Sequence, residues 1–250
     1  MKIGRWIGLG IFLSIVGVGI TAVASTQVDF NQEIKKVFID PTMEEKTMQF
    51  EEIKTIYYNG NADTIKICPS EDKNLFQYYE GKYVSYDISY DEEAKALSIS
   101  ETYKPHIGFS WKDTNILYIS SNLDKVEINM NAGNVVIEDM TMLALDADVD
   151  CGNLVIKNSN FTHSTLSTNA GNMNIRDTNF NTLEAQVSTG NMTFLGDIIW
   201  SGDIKVYVGN LTLQFKNKKD FYMVNGVGEG ASRITYTVSL GNSNITYERE

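Results

Sequence analysis

The chain has 250 residues, is 42% hydrophobic and carries a formal net charge of -11; it is long enough for one or two domains with a real core and too apolar for a disordered polymer. Three prolines and thirteen tyrosines favour strands over helices. The acidic balance argues against nucleic acid or anionic lipid headgroups as partners, since both require clustered Lys and Arg and no basic run occurs. Cys68 and Cys151 lack metal-ligand spacing, and only His106 and His163 could supply imidazole, which argues against a zinc site.

In chain order, Lys2 and Arg5 precede an uncharged apolar stretch from Trp6 to Ala24. At about 1.5 Å per residue this stretch would span roughly 28 Å, one hydrocarbon core. The expectation is a cytoplasmic N-terminus over 1–5 and one transmembrane helix over 6–24. The protein is then a single-pass membrane protein with its C-terminal domain extracellular. Ala22-Val23-Ala24 also fits a signal-peptide cleavage site, so the alternative is secretion after cleavage at Ala24. Residues 25–46 are mixed and charged and read as a tether.

Residues 47–125 contain "FEEIKTIYYNGNADTIKI", "KYVSYDISYDEEAKALSISE" and "NILYISS". These alternate apolar and polar residues between polar turns, as half-buried strands do. They are expected to form a capping β-sheet. Aromatic residues concentrate there: Tyr57, Tyr58, Tyr78, Tyr79, Tyr83, Tyr86, Tyr90, Tyr103 and Trp111. Exposed together they could stack on sugar rings or meet a protein; otherwise they pack across strands.

From residue 126 onward the chain repeats itself. Gly133-Asn134, Gly152-Asn153, Gly171-Asn172, Gly190-Asn191 and Gly209-Asn210 recur at intervals of nineteen. Two residues after each glycine stand Val135, Leu154, Met173, Met192 and Leu211; five before stand Ile128, Ala147, Leu166, Ala185 and Ile204. The residues between are mostly polar, so each unit holds two strands flanking Gly-Asn. A short fixed period with one register predicts coils stacked in parallel about 4.8 Å apart. The fold class expected is all-β: a short single-stranded parallel β-solenoid with an N-terminal capping sheet, preceded by the transmembrane helix. Glycine would supply positive φ at a repeated corner, and asparagine would stack as an amide ladder. Met142, Phe161, Phe180 and Ile199 are expected to close a second corner or cover the core. Gly241-Asn242 recurs thirty-two residues after Gly209, which predicts a last coil with an inserted loop that caps the stack.

The N-terminal segment, "NILYISSNLDKVEINMNAGNVVIEDM" and the Gly-Asn-apolar-x-apolar coils together resemble the bacterial putative-adhesin β-strand-repeat family, over roughly residues 50–250. Members include membrane-anchored proteins associated with cell-envelope stress operons. The resemblance implies a non-catalytic cell-envelope protein that binds an envelope protein or wall glycan. Its alternative is an accessory or regulator of a membrane stress-signalling system. It carries no catalytic motif, so it implies no catalytic residue.

Glu127, Asp146, Glu184 and Asp203 fall in one outward column, with Asp148 and Asp150 on the same face as Asp146. Like charges in a ladder repel, and calcium bound by Glu127, Asp146, Asp148 and Asp150 would relieve them. The plain alternative is a solvated acidic face. The same carboxylates could lie at glycosidase spacing, which keeps a carbohydrate-active β-helix enzyme as a third reading, although no cleft accompanies them. His106 and His163 have no Ser or Cys motif beside them. Cys151 shares its column with Ala132, Ala170, Thr189 and Val208, where it reads as a small filler; pairing with Cys68 depends on geometry.

Overall fold

Alternating side chains face opposite sides of a pleated strand, so period-two segments form strands wherever a partner covers the apolar side. The computed structural model describes residues 42–104, 114–120, 122–216, 222–223 and 233–247. Every regular element among them is a strand, and the strands join in one 15-stranded mixed sheet.

The repeat region supplies β8 (Leu123–Glu138), β9 (Thr141–Lys157), β10 (Asn160–Thr189), β11 (Met192–Val208) and β12 (Leu211–Phe215). They stack in parallel with like over like: Gly133 pairs with Gly152, Gly152 with Gly171, and Met173 with Met192. The last coil is split. β14 (Arg233–Leu240) lies on β11, β15 (Ser243–Tyr247) lies on β12, and the short β13 (Tyr222–Met223) pairs with β14. The thirteen residues by which the Gly209–Gly241 interval exceeds nineteen fall between Phe215 and Arg233.

The coils begin before the Gly-Asn repeat. β2 (Thr55–Gly60) and β3 (Asp63–Pro69) lie parallel on β8, with Thr55 opposite Lys125 and Asp63 opposite Gly133. β6 (Ala96–Tyr103) then lies parallel on β2, and β7 (Asn115–Ile119) parallel on β3. A coil later in sequence therefore sits outside an earlier one. β5 (Val84–Asp91) closes on β6, β4 (Asn74–Glu80) on β7, and β1 (Glu44–Phe50) on β4, all antiparallel. This antiparallel layer is the cap.

The inward columns form a continuous core. Val135, Leu154, Met173, Met192 and Leu211 are each at most 1% exposed. Burying one such side chain contributes roughly 1.5–3 kcal/mol. An aromatic ladder runs beside them, with ring centroids 5.2 Å apart for Phe161 and Phe180 and 5.5 Å for Phe194 and Phe215.

Two corners recur in the coils. At the first, the repeat glycines take φ between +136° and +154°, and a Cβ on Gly152 would lie 1.6 Å from the Gly133 carbonyl oxygen. At the second, Asp139, Asn158 and Asp177 hold φ of 59°, 49° and 50°, a left-handed conformation that short polar residues tolerate. Met142, Phe161 and Phe180 lie over the core just beyond it, at 3%, 3% and 0% exposure. Ile199 does not join them. Ile198 fills the slot at 0% exposure, and Ile199 is 48% exposed, because the register slips at this point in β11.

The transmembrane part of the sequence-based expectation is corrected. Among the described residues there are strands and no helix, and so none long and apolar enough to cross a membrane. Their period-two pattern gives one apolar side, not the all-round apolar surface a spanning helix needs. Residues 6–24, on which the single-pass anchor, the membrane partner and the membrane localisation rested, lie outside the described residues. So does the cleavage site at Ala24. Among the described residues the architecture is all-β, solenoid-like and mixed in strand direction.

Candidate binding surface

The outward positions of the coils sort into columns. In the Gly-Asn column, each asparagine bonds the next coil: Asn153 Nδ2 donates to Asn134 Oδ1 at 2.8 Å, Asn172 to Asn153 at 3.1 Å, Asn191 to Asn172 at 3.1 Å and Asn210 to Asn191 at 3.0 Å. Asn242 adds a longer rung to Asn210 at 3.4 Å, and Asn134 donates to Thr64 Oγ1 at the other end. These amides serve the stack itself.

The acidic face is also engaged by the protein. Glu127 stands opposite Asp146, and Asn129 opposite Asp148. Lys125 Nζ reaches Glu127 at 2.8 Å, the Ser167 hydroxyl donates to Asp148, and Asn169 Nδ2 donates to Asp150 at 2.6 Å. Partial burial, and then the negative charge of Glu127, push the Asp146 carboxyl above its ordinary pKa. Among the described residues no group of three or more His, Cys, Asp or Glu side chains is placed to hold a metal ion.

A buried polar knot lies under the cap, and sequence reasoning missed it. Asp63 and Glu101 are each 3% exposed. Asp63 Oδ2 accepts from the hydroxyls of Tyr58 at 2.6 Å and Tyr86 at 2.7 Å, and also from Asn115 Nδ2. Glu101 Oε2 accepts the backbone N–H of Asn61 at 2.6 Å and of Ala62 at 3.0 Å. Both carboxylates are thus compensated, as burial requires. Burial, and then the charge of Asp63, hold the Tyr58 and Tyr86 hydroxyls far above their ordinary pKa, so both remain donors. A signal was present: "NADTIKI" at 61–67 mirrors "NAGNVVI" at 131–137, with Asp63 in the glycine column.

The cap aromatics mostly serve packing. Tyr58 and Tyr78 are buried, and Tyr86 meets Phe76 and Tyr78 edge-on at centroid distances of 5.9 and 5.3 Å. Tyr57 is exposed, with Lys125 Nζ 5.9 Å from its ring centroid. Trp111 and His106 lie outside the described residues. His163 is exposed, its Nδ1 2.7 Å from Thr182 Oγ1. Cys68 and Cys151 are both free thiols, and burial pushes the Cys68 thiol up.

Three exposed apolar groups stand at a third turn of the coils, while Met48, Tyr207, Val208 and Leu240 are exposed elsewhere. Leu143, Ile199 and Trp200 are 56%, 48% and 54% exposed. Beside Leu143 and Ile199 lies an open concavity of about 390 Å³ floored by Met142 and Phe161. A second concavity of about 440 Å³, on the other side of this turn, is lined by His163, Thr165, Glu184 and Asp203 among others.

Similar folds occur among solved structures. A putative adhesin from Bacteroides fragilis is 14% identical with a TM-score of 0.52, the match covering 83% of this chain and 98% of that one. Putative adhesins from Parabacteroides distasonis and Parabacteroides merdae match with TM-scores of 0.39 and 0.38 at 14% and 15% identity, each over 85% of this chain and 99% of theirs. No curated protein matches the sequence. The Toastrack DUF4097 family model matches residues 25–234, and the chain belongs to that family of β-strand-repeat domains.

Proposed function

We propose that this protein is a non-catalytic, adhesin-like module that binds a component of the bacterial cell envelope through an outward face of its coils. The observation that carries the reading is the exposed trio Leu143, Ile199 and Trp200 at the third turn of the coils, where a register slip turns Ile199 and Trp200 outward. Exposed apolar groups rimmed by polar residues mark interaction surfaces. The Bacteroides fragilis protein of similar fold bears the description of a putative adhesin, which agrees with this reading. Glu127, Asp148, Asp150, Asp63 and Glu101 are held by the protein's own donors and offer no support for catalysis.

Immobilised full-length protein, presented with isolated cell-wall material and with solubilised envelope proteins in parallel, tests this. Retention of either by the folded protein is expected. Retention of neither, with the fold verified by circular dichroism, would overturn it.

A further inference from the structure

The third turn departs from the repeat in one coil only among those described. β9 and the first half of β10 pass through it with Leu143 and Thr162, and the second half of β10 with Asn181. Before it, Asp139, Asn158 and Asp177 make the left-handed corner. In β11 that corner residue is absent: Thr178 pairs with Gly196, one residue early, and Asp177 has no opposite number. Gly196 permits the shortcut, since a Cβ there would lie 1.8 Å from the Thr178 carbonyl oxygen. The chain regains register by placing two residues, Ile199 and Trp200, against the single Asn181. Both are driven into solvent. Bulges commonly re-aim side chains beside binding sites.

The result is a strip with apolar ends and a polar middle. Leu143 and Trp200 lie three strand spacings apart, roughly 14 Å along the stack. Between them stand Thr162 and Asn181, both half-buried. Alongside run Thr141, Asn160, Asn179 and Asp197, the Asn179 amide donating to Asn160 Oδ1 at 2.9 Å. Unlike the Gly-Asn ladder, the middle of this strip is unspent. Among the described residues the Asn181 side-chain amide and the hydroxyls of Thr141 and Thr162 make no hydrogen bond within the protein.

We propose that this strip binds an uncharged glycan chain. The inference rests on the binding-module reading above and assigns its site and ligand class. Amides and hydroxyls donate and accept at once, as sugar hydroxyls do. An indole face suits the C–H face of a pyranose ring. Asp197 is the single ionised group lining the concavity, and the backbone N–H of Lys216 donates to its Oδ1 at 3.2 Å. The Lys216 ammonium lies 2.8 Å from Asp177. With a chain charge of -11 there is no attraction for phosphate or uronate polymers. A peptide would be favoured by an open strand edge, but β9 and β10, which carry Leu143, Thr162 and Asn181, lie between neighbouring strands; β11 from Asp197 to Trp200 has no strand partner on its outer side among the described residues.

The test is binding of full-length protein to an array of uncharged and anionic glycans, followed by titration calorimetry with the best uncharged oligosaccharide and with polygalacturonate. Trp200→Ala and Asn181→Ala are compared with Tyr207→Ala, an exposed aromatic elsewhere on the coils, after equal melting temperatures are verified. Binding of an uncharged glycan, weakened about tenfold or more by the first two substitutions and unchanged by the third, is expected. Uncharged-glycan binding indifferent to Trp200 and Asn181 overturns the site while leaving the binding-module reading intact. Binding of polygalacturonate alone overturns the ligand class. Retention of an envelope protein with no glycan bound overturns the inference but not the reading beneath it. Retention of nothing overturns both.

Discussion

Asn172 donates twice to one atom of the coil before it: its side-chain Nδ2 reaches Asn153 Oδ1 at 3.1 Å and its backbone N reaches the same oxygen at 3.3 Å. Asn191 repeats the pair on Asn172 Oδ1, at 3.1 and 3.2 Å. Asn172 is therefore a donor to one neighbour and an acceptor for the next. Asn172→Ala removes both rungs and should cost about 2 kcal/mol. Asn242→Ala removes one bond of 3.4 Å at the end of the ladder and should cost less than about 0.5 kcal/mol. Urea denaturation of the two variants checks the order; equal losses would remove the ladder as a source of stability.

Gly171→Ala and Gly202→Ala separate backbone demand from space. A Cβ at Gly171 would lie 1.6 Å from the Gly152 carbonyl oxygen, at φ +154°. Neither the paired backbone nor the angle can relax cheaply, so a loss above about 4 kcal/mol or failure to fold is expected. At Gly202 the nearest atom is Ile198 Cδ1 at 3.0 Å, the tip of a flexible side chain. That variant should fold and lose about 1–2 kcal/mol. Soluble yield and thermal melts read the contrast.

Thr168 sits in the inward column with Val149 and Val187, fully buried, and its Oγ1 has no hydrogen-bond partner. Replacing a buried unpartnered hydroxyl by a methyl of the same shape removes a desolvation cost. Thr168→Val should stabilise the protein by about 1 kcal/mol, read as a higher melting temperature. A lower one would show that the hydroxyl is satisfied.

Two carboxylates should respond to pH with opposite signs. Glu138 is held below its ordinary pKa by Lys157 at 2.8 Å and Lys66 at 2.6 Å, an ion triad that ties three coils. Its stabilisation is present above the unfolded Glu pKa of about 4.3 and is lost as pH falls through the lower folded value. Asp146 is raised, by burial and then by Glu127. Its contribution is present below the unfolded Asp pKa of about 3.9 and is lost as pH rises through the higher folded value. At pH 7 Glu138→Gln should cost about 0.5 kcal/mol, and Asp146→Asn should gain about 0.3 kcal/mol, both kept small by solvent screening. Both differences should shrink towards pH 3, as followed by denaturation midpoints.

The nineteen-residue period is legible because it is local. Each unit repeats the same alternation, so the inward columns of Val135 or Ile128, the glycine corner and the parallel register follow from one chain segment and its copies. The added coil of Arg233–Leu240 and Ser243–Tyr247 is legible for the same reason, since Gly241-Asn242 restates the motif after an insertion. What the sequence alone determined is thus the coil, its period and its core-facing residues, all set by side-chain alternation and backbone sterics over a few residues. Only the tertiary structure decided that β6 and β7 slip outside β2 and β3, that Tyr58, Tyr86 and Asn115 converge on Asp63, and that Ile198 takes the core slot in place of Ile199. Those outcomes depend on pairings between distant segments and on a one-residue slip that is restored four residues later. Neither leaves a periodic trace, because in a strand one residue of register exchanges the buried face for the exposed one.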